Sequence, residues 1–192
     1  MKIKKPLIIV LGEPNSVFIE ILVKVLNKNS IKKKINYPII LIGSKNLILS
    51  QLKILKKKLI FKVFQKEFFL DNRLKNKIYL IDVKYNFKKP FDLISKNSKN
   101  YISNCFEVGL NLLNNKIGDI IINGPISKKH FLQNKYPGIT EYIFNKSKKK
   151  LSKNPVMLIF NKKFSVSPIT THIPLKSVNK KINRKIIENN IL

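Results

Sequence analysis

Short, nearly continuous runs of apolar residues constrain this chain more than any other feature. They fall at 7–11, 38–42, 59–64, 78–81, 119–122 and 156–160, and none exceeds the length of a strand. A half-exposed strand alternates apolar with polar, whereas a strand covered on both faces is apolar throughout, as in a parallel sheet sandwiched by helices. Helical spacing fills the intervals. Over 16–26, Phe18, Ile21, Leu22 and Val25 recur at i, i+3, i+4 and i+7, and over 98–113 Ile102, Phe106, Gly109 and Leu113 fall on one helical face at i, i+4, i+7 and i+11. Residues 45–57 form a third helical candidate. Strand alternating with helix predicts a layered α/β fold with right-handed crossovers. No internal repeat is present. Segment 71–92 carries the weakest pattern, and its Lys88-Lys89-Pro90 marks a turn. Residues 146–153 read as a Lys-rich linker before the last run.

With 192 residues, 44% of them hydrophobic, the chain can bury a real core as one domain or two small lobes. Its formal net charge of +29 comes from 39 Lys and Arg against 10 Asp and Glu. Such a charge suits a nucleic-acid binder. The basic residues are nearly all Lys, however, and Arg, whose fork grips phosphate in two places, occurs only as Arg73 and Arg184. Asn and Ile are abundant too, so biased composition explains the charge better than a phosphate-gripping surface, and nucleic acid is not the expected partner. The single cysteine, Cys105, rules out an intrachain disulfide and is expected to be buried. The basic start leads into only a short apolar stretch, 6–11, which ends at Gly12-Glu13-Pro14, and no run approaches the about 20 apolar residues of a membrane span. The expectation is a cytoplasmic protein without a membrane partner.

Four motifs could carry chemistry. Gly12-Glu13-Pro14-Asn15-Ser16 closes the first run and opens a helix, where a ligand can approach backbone closely and Ser16 can cap; an ordinary turn is the alternative. Asn123-Gly124-Pro125-Ile126-Ser127-Lys128 follows the fifth run, and Lys128 could reach a phosphate or carboxylate, although one lysine among many is often only solvated. In Gly138-Ile139-Thr140-Glu141-Tyr142, Thr140 could cap a helix. In Thr170-Thr171-His172-Ile173-Pro174-Leu175, a neutral imidazole at His172 could ligate a metal, and Pro174 suits a first helical turn; no second ligand is evident. The other histidine, His130, lies in a Lys-rich stretch and is expected on the surface.

In this order the motifs resemble the 4-hydroxythreonine-4-phosphate dehydrogenase family over almost the whole chain, matching the N-terminal part of a family member. The resemblance implies a three-layer α/β/α fold like that of isocitrate and isopropylmalate dehydrogenases, here truncated, with residues 1–123 in a first α/β domain and 124–192 beginning a second. It implies NAD-dependent oxidation and decarboxylation of 4-phosphooxy-L-threonine in pyridoxal phosphate biosynthesis, by a homodimer using a divalent metal (zinc, magnesium or cobalt) held by three histidines. Carried over by position, Lys128 and Thr140 contact the phosphorylated substrate and His172 is the first metal histidine. Two departures stand out. Ile139 replaces a family histidine and cannot donate a hydrogen bond. In the first loop, Ser16 and Phe18 replace two family glycines.

The stretch 177–192 predicts one helix with no strand after it, although an α/β unit normally returns to the sheet. The chain is therefore expected to be a fragment that is inactive alone. A non-catalytic α/β binding or assembly module is the competing reading, with a basic nucleic-acid-binding domain behind it.

Overall fold

The structure, a computed structural model, describes residues 5–29, 35–64, 77–133, 135–147, 156–171 and 173–191. The chain divides into two compact units, Met1–Gln133 and Asn134–Leu192.

The first unit is built on a parallel five-stranded sheet of order β3-β4-β2-β1-β5. Its strands are β1 (Leu7–Val10), β2 (Ile39–Gly43), β3 (Lys62–Phe64), β4 (Ile78–Asp82) and β5 (Ile120–Asn123). Helices α1 (Phe18–Asn27) and α2 (Lys45–Ile54) share one apolar cluster with one side of the sheet, through Ile19, Leu22, Leu26, Ile48 and Leu52 against Ile9, Ile39, Leu41 and Leu80. Helix α3 (Lys99–Asn114) lies on the other side, where the Cα of Gly109 approaches the side chains of Val10, Ile42 and Ile121. The inner apolar runs thus give the expected parallel sheet covered on both faces. Ile8, Val10, Ile40, Leu41, Ile42 and Leu80 are fully buried.

Three outer runs behave differently. The run 119–122 yields β5 at one sheet edge, where Ile120 is 61% and Ile122 43% exposed. Of 59–64, only 62–64 form a strand, at the opposite sheet edge, and Ile60 is 90% exposed. The run 156–160, expected as a covered strand, is exposed throughout in the second unit. It makes only an antiparallel bridge, Ile159 N–H to Val166 O at 2.8 Å and Val166 N–H to Ile159 O at 2.9 Å. Apolar continuity reports a capacity for burial, and no described residue of that unit covers this run.

The helices follow their patterns with one rotation. Helix α1 buries Ile19, Leu22, Val23 and Leu26, while Ile21 and Val25, expected inside, are exposed. Both sets have the same spacing and both are apolar, so periodicity could not choose between faces about one residue apart; the direction of the chain out of the Gly12 turn chose. Helix α3 buries Ile102, Phe106 and Gly109 as expected, with Cys105 beside them. Helix α2 is capped by Ser44, whose Oγ accepts from Leu47 N–H at 3.4 Å, while Asp82 Oδ1 accepts from Lys45 N–H at 2.8 Å.

In the second unit, α4 (Ile139–Lys146) starts beside Gly138 at the N-cap, which makes no side-chain cap bond. Thr140 lies inside the first turn and is not the cap. The single helix expected over 177–192 is instead two, α5 (Val178–Lys181) and α6 (Arg184–Ile191). Ile182 between them is extended, and Asn183 Oδ1 accepts from Ile186 N–H at 3.0 Å. Asn is a strong N-cap, and capping a new helix here ends the old one.

Candidate functional site

Strand order reverses at β1. From β1 the chain builds β2, β3 and β4 on one side, where they stand in the spatial order β2, β4, β3, then returns over α3 to β5 on the other side. The loops leaving β1 and β5 therefore stand together at the carboxyl ends of adjacent strands, the crevice where open α/β sheets bind ligands. These are the loops of the first two motifs, Gly12-Glu13-Pro14 and Gly124-Pro125, which are 112 residues apart, from 12 to 124, in the sequence.

Both glycines are required by that meeting. Gly12 has φ +75°, and a Cβ added there would collide with Pro125 O and lie 2.9 Å from Gly124 C. A Cβ on Gly124 would collide with Leu11 O and lie 2.8 Å from Leu11 C. The bare backbones join through Gly124 N–H to Val10 O at 2.7 Å and Glu13 N–H to Pro125 O at 2.8 Å. Ser16 Oγ donates to Glu13 O at 2.7 Å and accepts from Phe18 N–H at 3.3 Å, so it supports the start of α1 although Val17 is the N-cap residue.

Glu13 lies at the centre and is 2% exposed. Its Oε2 accepts from Ser98 Oγ at 3.1 Å, whereas Oε1 is buried without a hydrogen-bond partner. Burial pushes its carboxyl above the usual carboxylate range, opposed by the Ser98 bond, the nearby Asn15 N–H and the charge of His130. Gln51, 3% exposed, donates from Nε2 to Pro14 O at 2.7 Å and Pro90 O at 2.8 Å, tying the first loop to the loop after β4. Tyr101 Oη accepts from Ser44 N–H at 3.0 Å, and its ring contacts Tyr85 with centroids 4.7 Å apart. A cavity of about 20 Å³ lined by Gly12, Glu13, Gln51 and Tyr101 lies beneath the loop. It has room for about one water, and exposed groups stand outside it at the strand ends.

Lys128 is such a group. It begins a single turn of π-helix, Lys128–Leu132, fixed at its start by Ser127 Oγ accepting from His130 N–H at 3.2 Å. At its end Gln133 is left-handed, φ +51°, and its Oε1 accepts from Lys99 Nζ at 2.6 Å. Buried Phe131 stacks on Phe106 of α3 at 5.9 Å. Single π-turns often occur at functional sites. His130, expected on the surface, is only half exposed and its Nδ1 is buried, because this turn rolls the ring inward. Neither Glu13 nor Gln51, Ser98 or His130 stood out in the sequence as members of one site.

Thr140 and Ile139, both half-buried, open α4 in the second unit. His172 lies outside the described residues. Among the described residues no three His, Cys, Asp or Glu side chains group as a metal site, so these residues do not by themselves make a metal centre.

A family model described as pyridoxal phosphate biosynthetic protein PdxA matches residues 34–192. The chain belongs to the PdxA family. A 4-hydroxythreonine-4-phosphate dehydrogenase of Sulfurihydrogenibium sp. (strain YO3AOP1) is 32% identical over 183 residues, covering 94% of this chain and 54% of that protein. A 4-hydroxythreonine-4-phosphate dehydrogenase of Wigglesworthia glossinidia brevipalpis is 27% identical over 122 residues, covering 62% of this chain and 36% of that protein. The chain thus spans about half the length, or less, of these PdxA relatives. Crystal structures of 4-hydroxythreonine-4-phosphate dehydrogenases from Burkholderia phymatum and Klebsiella pneumoniae share its fold. Their TM-scores are 0.77 and 0.75, at 21% and 20% identity, over 98% and 97% of this chain and 56% and 57% of theirs. The flanked parallel sheet is therefore the PdxA α/β architecture.

Proposed function

We propose that this chain is part of an NAD-dependent 4-hydroxythreonine-4-phosphate dehydrogenase of vitamin B6 biosynthesis, which oxidises 4-phosphooxy-L-threonine and releases CO2 from the resulting keto acid. The observation that carries this reading is the meeting of the Gly12 and Gly124 loops at the strand-order reversal, in a chain that the PdxA model matches over 34–192. Lys128 donates to an anionic group of the substrate, its phosphate or its carboxylate, and Thr140 supplies a further contact. His172 is one ligand of a divalent metal, zinc, magnesium or cobalt. NAD accepts the hydride. In the same reading residues 1–123 belong to a first domain and 124–192 begin a second, and the whole protein is a cytoplasmic homodimer.

The test is turnover by the whole gene product, supplied with NAD, each of the three metals and 4-phosphooxy-L-threonine. NADH and CO2 formed in equal amounts are expected. Absence of both with every metal, from a folded protein, overturns the reading.

A further inference from the structure

The segment between β4 and α3, residues 83–98, runs over the candidate site. It leaves β4 with Val83 N–H bonded to Gly43 O at 3.0 Å, and the Tyr85 ring then meets Tyr101 of α3 at 4.7 Å. Phe91 lies on the opposite side of the sheet, against the apolar cluster that α1 and α2 share. Ser98 returns the chain to the start of α3. Between Phe91 and Ser98 the chain therefore crosses from one helical layer to the other, at the carboxyl ends of the strands and beside the Gly12 loop. Three consecutive residues of that loop fasten the crossing. Glu13 Oε2 accepts from Ser98 Oγ at 3.1 Å, Asn15 Nδ2 donates to Leu93 O at 3.2 Å, and Pro14 O shares the side-chain amide of Gln51 with Pro90 O.

We propose that Gln51 is a positioning residue: its buried amide holds the crossing segment, 90–98, against the Gly12 loop and so keeps one wall of the crevice in place for the substrate. This rests on the reading of the strand ends as the substrate site. Gln51 occupies the inward stripe of α2 with Leu47, Ile48 and Leu52, where an apolar side chain would pack the helix without burying polar atoms. A glutamine there is costly unless its polar atoms are used. Its Nε2 carries two hydrogens and meets two carbonyls, Pro14 O at 2.7 Å and Pro90 O at 2.8 Å, so one amide joins two loops that lie 37 and 39 residues away in sequence. Both acceptors belong to prolines, whose fixed φ limits how far either loop can turn to find another donor. The bond from Asn15 lies at the surface and competes with water, so the buried amide carries most of the hold. A wall already in place spares binding the cost of ordering it. Loosening it lowers the fraction of molecules with a formed crevice, and apparent affinity falls by that fraction.

The experiment has two arms. Backbone amide order parameters of the 192-residue chain read the hold. In the wild type, Phe91, Asp92 and Leu93 should match Leu41 and Ile42 of β2, at about 0.85. Gln51→Met, which fills similar space and cannot donate, should drop them below about 0.6 and leave β2 unchanged. If Gln51→Met does not fold, Asn15→Ala takes its place; it removes only the bond to Leu93, and the loss should be confined to the neighbours of Leu93. Order parameters unchanged in the variant, or already low in the wild type, overturn the proposal. Turnover of the whole gene product reads the use of the wall. With 4-phosphooxy-L-threonine, NAD and metal, Gln51→Met should raise KM about three- to tenfold and leave kcat within about twofold. Unchanged constants, or a fall in kcat at unchanged KM, overturn the positioning role. A folded wild-type product without turnover removes the functional reading instead, and the order parameters still decide whether Gln51 holds the segment.

Discussion

Replacing Gly12 by alanine probes the meeting of the two loops directly. The residue sits at φ +75°, where a side chain costs about 1–2 kcal/mol. The added methyl would also press on Pro125 O and on Gly124, both main chain, so no rotamer change can relieve it. Overpacking against rigid neighbours typically adds about 1–3 kcal/mol. Together the loss is about 2–5 kcal/mol, and the hydrogen bond from Glu13 N–H to Pro125 O should be the first casualty. Urea unfolding reads this out. With a slope of about 2 kcal/mol per molar, the midpoint should fall by about 1–2.5 M with the slope unchanged. Gly124→Ala, pressing on Leu11 O from the other side, should lose a similar amount. A midpoint within about 0.3 M of wild type for both variants would show that the loops do not touch as described.

Other expectations follow from the same geometry. Lys116 closes α3 in the left-handed region, φ 58°, with Ile117 N–H bonded back to Leu112 O at 3.0 Å. Lys116→Gly should therefore stabilise the chain by about 0.5–1 kcal/mol, and an unchanged or lower urea midpoint would contradict that. Burial pushes the Cys105 thiol up to about 12, so a thiol reagent at neutral pH should label it only as fast as the chain unfolds; rapid labelling under native conditions would refute its placement. Ile139 opens α4 where the family has a histidine. Ile139→His in the whole protein should raise catalytic efficiency by about one to two decades if a hydrogen bond to a charged substrate group is restored, and a loss would mean the pocket is built around the aliphatic chain.

Much of the first unit was legible because burial on two faces leaves an unmistakable mark. Runs such as 38–42 and 78–81 read as covered strands and are inner strands, and the helical candidate 45–57 contains the helix found at Lys45–Ile54. The face of α1 was not legible, since Phe18, Ile19, Ile21, Leu22, Val23, Val25 and Leu26 offer two apolar stripes. At the site, the glycines were visible as motifs but their contact was not, because it depends on the strand order. Glu13 was visible only as part of a turn motif, and His130 read as a surface group in a lysine-rich stretch. Their burial comes from the π-turn and from Ser98, 85 residues away from Glu13, and no local pattern encodes either. In the second unit, the run 156–160 shows the reverse error, a strand signal without a described partner sheet to receive it.

The placement of Lys128 as a substrate contact at the strand-order reversal is tested most directly by a double-mutant cycle on binding. Calorimetry would compare wild type and Lys128→Met of the whole protein with three ligands: 4-phosphooxy-L-threonine, the same molecule without its phosphate, and the same molecule without its carboxylate. If Lys128 grips one of these anions, losing the lysine or losing that anion should each cost about 1.5–3 kcal/mol, and losing both should cost little more than either alone. Costs that simply add, for the phosphate and for the carboxylate alike, would mean that Lys128 touches neither, and the strand-end site would lose its ligand contact.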